Sequence, residues 1–345
     1  MLKSFRKTIK TITILPALAL IIATTSVVKA EDNMPKFAIA LHGGAGTILK
    51  GNMTAEVEAE YRAKLLEALT AGHDILAEGG TSMDAVETAI VIMEDSPLFN
   101  AGYGAVFTSE AKNELDASIM DGSDLNAGAV SGVRIVKNPI RLARAVMENS
   151  NHVMLQSDGA ESFAASQEKI EIVDPEYFHT DRRYNQLMRV REMGEGTVIS
   201  DHDGDHKFGT VGIAALDQHG NLAAGTSTGG MTNKSWGRVG DTPIIGAGTY
   251  ANNASCAVSA TGAGEYFIRA TVARNICALM EYAGMSLIDA ANKIVKEQLV
   301  DMGGDGGIIS VDKDGNVALV FNTQGMYRGS WKSGEEPHIA IYEDE

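Results

Sequence analysis

Residues 208–230 read F-G-T-V-G-I-A-A-L-D-Q-H-G-N-L-A-A-G-T-S-T-G-G. Val211 to Leu216 is a short apolar run bounded by turn residues, the pattern of a buried strand. Asp217-Gln218-His219-Gly220-Asn221 supplies a hairpin turn, and Leu222 to Thr226 the returning strand. The preceding stretch at 194–207, G-E-G-T-V-I-S-D-H-D-G-D-H-K, has almost no apolar periodicity and reads as a mobile tail over about 194–209. Thr210 therefore stands where a polar tail meets a strand. Thr228 lies across the hairpin from it, so strand pairing can bring the two hydroxyls together.

Working outward, Phe37 to Leu41 is a second buried-strand run, stopped at His42-Gly43-Gly44-Ala45-Gly46. Apolar residues recur at helical spacing over 54–79, ended by Gly79-Gly80. Thr81-Ser82 can cap a second helix through Met93. Glycines punctuate strand-like pieces over 97–133, including 105–107 and 117–120, and Pro139 opens a helix to Met147. Glu265 to Tyr282 and Ser286 to Val300 read as helices. Residues 308–311 and 317–321 form another hairpin around Asp312-Lys313-Asp314-Gly315-Asn316. Strands and helices fall in blocks, which predicts an α+β fold with antiparallel pairing. Two strand pairs flanked by helix pairs suggest a four-layer αββα sandwich.

The chain has 345 residues and a formal net charge of −16, which argues against a nucleic-acid partner. Lys3, Arg6, Lys7 and Lys10 precede a mostly apolar stretch, Ile12 to Ile22, and Val28-Lys29-Ala30 has the small residues of a cleavage site. Residues 1–30 are therefore expected to be a secretory signal peptide, and the mature chain to be secreted, most simply to the periplasm. A membrane anchor is the alternative reading, but the run is shorter than the ~20 residues of a spanning helix. Cys256 and Cys277 are the only cysteines. Export permits a disulfide between them, and two free buried thiols fit equally.

The chemistry concentrates in 209–264. A hydroxyl needs a nearby base to act as a nucleophile at neutral pH, and an N-terminal threonine carries one in its own α-amine. Cleavage of Gly209–Thr210 would create that terminus. Without it, Thr210 is only a β-branched strand residue. Around it stand T-S-T-G-G-M-T-N at 226–233, G-R-V-G-D at 237–241 and T-G-A-G-E at 261–265. So many small and hydroxylated residues bury little apolar area, but they allow backbone amides to approach a ligand. Arg238 can bind a carboxylate bidentately and Asp241 an ammonium, which together recognise a free amino acid. A surface ion pair is the simpler reading of those two. Thr261-Gly262 offers a hydroxyl and an N–H for an oxyanion, or a helix cap.

These motifs, with L-H-G-G-A-G at 41–46 and N-A-G-Y-G-A-V-F at 100–107, resemble the isoaspartyl peptidase and plant-type asparaginase branch of the N-terminal nucleophile hydrolases. The resemblance covers 36–330. It implies the αββα sandwich and self-cleavage between Gly209 and Thr210, giving an α chain of 31–209 and a β chain of 210–345. It implies Thr210 as the nucleophile, supported by Thr228. Arg238 and Asp241 would hold the substrate's α-carboxylate and α-amine. Thr261 and Gly262 would line the oxyanion hole, with Gly264 and Asn100 also at the substrate. The implied substrates are L-asparagine and β-aspartyl dipeptides, and the implied assembly is a dimer of αβ units. No catalytic cofactor is implied. A structural sodium would be held by backbone carbonyls of Met93, Glu94, Ser96, Phe99, Ala101 and Tyr103.

Glycosylasparaginases share G-R-V-G-D, but they usually carry aspartate before the nucleophile, where Gly209 stands here. Trp236 replaces a frequent proline and could alter the rim of the site. Thr249 replaces a small or sulfur residue. His202 and His206 read as part of a solvated tail, and 312–323 departs from a calcium loop at Val317 and Thr323. The competing class is a secreted amino-acid binder that uses Arg238 and Asp241 without cleaving.

Overall fold

The computed structural model describes residues 36–194 and 210–345. The expected signal peptide, the 194–209 tail beyond Gly194, Gly209, His202 and His206 lie outside the described residues. The hairpin at 211–228 is central to a sheet of eight strands. Numbered in chain order, its strands run β12 (His338–Tyr342), β11 (Gly325–Lys332), β1 (Ala38–Gly46), β5 (Val211–Leu216), β6 (Leu222–Thr228), β2 (Leu115–Asp121), β3 (Ala127–Val133) and β4 (Met154–Gln156). Among the described strand pairs of this sheet, β3–β4 is parallel and the others antiparallel. A second sheet runs β10 (Val317–Phe321), β9 (Gly306–Asp312), β8 (Cys256–Gly262) and β7 (Thr249–Ala251).

Strand alternation sorts the two faces of the large sheet. Ile39, Leu41, Val211 and Ile213 join a core with helices α1 (Ala55–Ala77), α2 (Ser82–Glu94) and α3 (Pro139–Asn149). Ala38, Ala40, Ala214 and Ala224 instead face the second sheet, whose core takes in Phe267, Val272, Ile276 and Leu299 from the helices beyond it. Small residues on the facing side let the sheets approach. The result is the expected αββα sandwich. Helices α4 (Ser157–Ala165) and α5 (Asp181–Glu192) fill part of the polar stretch after 157. Among the described residues no helix is long and apolar enough to cross a membrane.

Local differences from the sequence reading have physical causes. The first strand runs on through the glycines to Gly46, absorbing them with a register shift between His42 and Gly44. No strand forms at 105–107, where Asn113 and Asn100 side chains satisfy the backbone instead. The helix expected over 265–282 is two, α6 (Gly264–Ala270) and α7 (Val272–Ala283), broken at Thr271 with φ 45°. The helix expected over 286–300 is α8 (Leu287–Asn292) and α9 (Leu299–Met302), joined by a π-helical stretch over Lys293–Gln298. Cys256 and Cys277 are disulfide-bonded, tying the start of β8 to α7.

Candidate active site

Thr210 immediately precedes β5, and Val211 pairs with Ser227, so one further step of the ladder sets Thr210 opposite Thr228. Their hydroxyl oxygens are 3.0 Å apart. By alternation both point into the seam between the sheets, on the side of Gly212 and Thr226. The Gly230 N–H donates to Thr228 Oγ1 at 3.0 Å, fixing that hydroxyl from behind. Thr210 and Thr228 line one pocket with Met231, Arg238, Asp241, Thr261 and Gly262. The sequence-derived residues thus converge from both sheets and from the loop over 229–248.

Thr261 comes from β8. It is not a helix cap: the residue before α6 is Ala263, and no side chain caps that helix. Thr261 Oγ1 is buried with no hydrogen-bond partner among the described residues, which leaves it available to a ligand. Gly262 has φ 154°, and a Cβ there would strike the Asp305 carbonyl and the Gly306 backbone, so this turn requires glycine.

Arg238 and Asp241 occupy the loop. Arg238 donates from Nε and Nη2 to the two carboxylate oxygens of Glu265, at 2.9 and 3.0 Å. That pairing occupies one edge of the guanidinium. Nη1 lies on the opposite edge, 2.8 Å from where a Cβ on Gly240 would sit. Asp241 is buried, and its Oδ2 has no partner among the described residues. Burial pushes its carboxyl up to about 7, against the pull of Arg238. A Cβ on Gly264 would press on Asp241 Oδ1 and Arg238 Nη2, at 2.8 and 2.9 Å. The role of Gly264 is therefore to leave room for the charged pair. Asn100 shapes the loop: Nδ2 donates to the Gly230 carbonyl at 2.7 Å, and Oδ1 accepts from Val106 N–H at 2.9 Å.

Other groups escaped the sequence reading. Asp116 pairs in register with Thr228, is buried, accepts from Gly132 N–H at 2.9 Å, and has its carboxyl raised by burial. Lys234 is buried beneath Gly230 and donates to the Glu114 carbonyl at 3.0 Å. Between the sheets a chain of side chains runs from His42 Nε2 to Ser259 Oγ (2.9 Å), to Thr226 Oγ1 (2.6 Å), to Thr249 Oγ1 (2.6 Å) and to Ser118 Oγ (2.7 Å). It ends at the Thr242 carbonyl beside Asp241. Gly212 makes room for it, since a Cβ there would run into Ser259 Oγ and His42 Nε2. Burial lowers His42 to about 3, opposed by the Thr210 backbone, so the imidazole stays neutral. The only sequence sign of this chain was hydroxyls at strand positions that should be apolar.

Two sheets face to face, helices outside, and a threonine heading a central strand at the end of the seam define an N-terminal nucleophile hydrolase fold. The comparisons sharpen that class. A family model described as asparaginase matches residues 35–341. The isoaspartyl peptidase of Escherichia coli is 51% identical over 316 residues, covering 90% of this chain and 98% of its own. A probable isoaspartyl peptidase/L-asparaginase 2 of Arabidopsis thaliana is 41% identical over 90% of this chain and all of its own. The Xenopus laevis isoaspartyl peptidase/L-asparaginase is 41% identical, over 90% and 96%. The chain belongs to this asparaginase family.

Proposed function

We propose that the chain cuts itself between Gly209 and Thr210 and then hydrolyses β-aspartyl dipeptides and the side-chain amide of L-asparagine. The observation that carries this reading is a single pocket holding the Thr210–Thr228 pair, the half-paired Arg238 fork and the unpartnered carboxylate oxygen of Asp241. A zwitterionic amino acid presents the complement of the last two. In maturation, Thr210 Oγ adds to the Gly209 carbonyl, the peptide C–N bond breaks to leave an ester, and water hydrolyses it. This frees the α-amine of Thr210.

In turnover that amine takes the hydroxyl proton as Thr210 Oγ adds to the substrate's side-chain carbonyl. Thr261 Oγ and Gly262 face the oxyanion that forms. Collapse expels ammonia, or the second amino acid, with the transferred proton and leaves a β-aspartyl ester. Water then adds, the amine again taking the proton, and aspartate departs as Thr210 Oγ is reprotonated. Thr228 orients the nucleophile. Arg238 and Asp241 hold the α-carboxylate and α-ammonium, placing the scissile carbon within reach.

The structural sodium belongs to the same reading. A Cβ on Gly102 would run into the Glu94 carbonyl oxygen, and one on Gly104 into those of Phe99 and Ser96. Three carbonyls of the proposed set, those of Glu94, Ser96 and Phe99, thus pack closely on this glycine-containing loop, and with Met93, Ala101 and Tyr103 they would supply the oxygen ligands that a hard monovalent cation takes. Such an ion would hold the loop that carries Asn100. Export of the mature chain to the periplasm and assembly as a dimer of αβ units complete the proposal.

The test is amino-terminal sequencing of purified protein, alongside assays of ammonia release from L-asparagine and hydrolysis of β-aspartyl dipeptides. A chain beginning Thr-Val-Gly-Ile, together with turnover, is expected. An intact chain that binds aspartate without hydrolysing anything would support the binder instead.

A further inference from the structure

Trp236 is fully exposed, in a molecule that buries most of its large apolar side chains. It also sits at φ 56°, between Asn233 at 65° and Gly237 at 67°. A bulky residue in the left-handed region is held there against its preference, and such outliers gather at functional sites. An exposed indole rim is a surface that aromatic and aliphatic groups cover readily. Trp236 lines a cavity of about 670 Å³, together with Met231, Ser235, Lys234, Arg191 and Glu265, whose carboxylate is taken up by Arg238. This cavity adjoins the catalytic pocket, because Met231 and Arg238 line both. Its wall is mainly apolar. At the other side Arg191 donates from Nη2 to the Ser109 carbonyl at 2.7 Å, and among the described residues no carboxylate pairs with it.

L-Asparagine needs no such space, since its leaving group is ammonia. A β-aspartyl dipeptide does: its aspartyl half fills the Thr210 pocket, and the amino acid released must lie outside it. That second residue carries a side chain and a free carboxylate. The cavity offers an apolar wall for the first and, in Arg191, a guanidinium with no carboxylate partner among the described residues for the second.

We propose that this cavity is the leaving-group subsite, in which Trp236 and Met231 select β-aspartyl dipeptides with a bulky apolar or aromatic second residue and Arg191 receives its carboxylate. The inference rests on the dipeptidase reading above. The assignment makes Trp236 a specificity-determining residue of this chain, one that touches the departing amino acid and not the aspartyl half.

The test compares kcat/KM for L-asparagine, β-aspartyl-glycine and β-aspartyl-phenylalanine in the self-cleaved enzyme. The native protein should favour the phenylalanine dipeptide over the glycine one by roughly tenfold. Trp236→Ala should remove that preference, and Trp236→Phe should restore most of it. Both variants should leave L-asparagine and β-aspartyl-glycine within about twofold of native. Arg191→Gln should raise KM for both dipeptides but not for L-asparagine. Equal loss on all three substrates in Trp236→Ala, or no loss on any, overturns the subsite. So does a change in the mass of the assembly by light scattering, which would make Trp236 an interface residue. If the native enzyme hydrolyses L-asparagine but neither dipeptide, the dipeptidase reading itself fails, a result distinct from failure of the subsite.

Discussion

The floor of the pocket and its rim are positioned by different forces. Thr228 and Thr261 stand on paired strands and Thr210 immediately heads one, so ladder register sets their positions, and the hydroxyl chain from His42 to Ser118 fills the seam behind them. Arg238 and Asp241 stand on a loop, held by Glu265, by Asn100 through Gly230, and by the bulk of Lys234. Strand positions cannot shift without breaking many backbone hydrogen bonds at once. A loop can shift at the cost of one or two. The reacting groups therefore sit where geometry is stiff, and the substrate-gripping charges where adjustment is cheap. Floor substitutions should act on maturation, kcat and stability, and rim substitutions on KM.

The largest expected effect is at the floor. Thr210→Ala removes the hydroxyl required for both cleavage and turnover, so the chain should remain uncut on a denaturing gel and lose activity by at least about 10⁴-fold. Its fold should survive. An uncut but active variant would show that the nucleophile is elsewhere. Next comes the rim. Arg238→Ala leaves the substrate carboxylate without its partner, at a cost of about 2–5 kcal/mol, so KM should rise by roughly 30-fold or more while cleavage and melting temperature stay near native. Loss of cleavage in Arg238→Ala would erase the distinction between the two regions.

A smaller rim effect is pH-dependent. Asp241 must be ionised to receive an ammonium, but burial holds its carboxyl up to about 7, with the Glu265 and Asp116 charges adding to the shift and Arg238 opposing it. As pH falls through 7 the carboxyl takes a proton and loses its attraction for the substrate amine. KM should then rise by about tenfold per unit below 7, while kcat at saturation does not follow that step. Asp241→Asn should raise KM at every pH and flatten the slope. A KM that stays constant from pH 8 to 5.5 would mean that Asp241 remains ionised throughout, and an unchanged KM in Asp241→Asn would remove it from substrate binding.

The same contrast explains what could be read in the chain without coordinates. The hairpin at 211–228 was legible because apolar alternation and a turn encode local pairing, and Thr210 opposite Thr228 follows from the register alone. Arg238 and Asp241 were legible as chemistry, and Gly264 only through the family resemblance, but their convergence was not legible, because a loop and the start of α6 meet only through tertiary packing. His42, Asp116 and Lys234 went unread for a related reason. Each is a polar residue made acceptable by partners on other elements, Ser259, Gly132 and Glu114, and nothing in local sequence names a distant partner. The break at Thr271 was hidden because the apolar spacing of α6 and α7 is continuous across it.

The hydroxyl chain allows the most discriminating, if smallest, test of floor against rim. Thr226 sits midway, its oxygen shared between Ser259 and Thr249 and within 3.3 Å of the Gly248 carbonyl, which also accepts from the Ala260 N–H. Thr226→Val keeps shape and β-propensity but removes that oxygen, leaving two buried hydroxyls each short of one partner. Ser259 retains His42 and Thr249 retains Ser118, so the penalty should stay near the ordinary range of about 1–3 kcal/mol for a buried unsatisfied group. That corresponds to a melting temperature lower by roughly 2–6 °C. Because Thr226 shares its strand and face with Thr228, the loss should also appear as a few-fold drop in kcat with KM unchanged. Arg238→Ala should show the reverse pattern, a raised KM at native melting temperature. If Thr226→Val instead raises KM and leaves kcat and melting unchanged, the seam is not what holds the nucleophile, and the division between stiff floor and adjustable rim is misplaced.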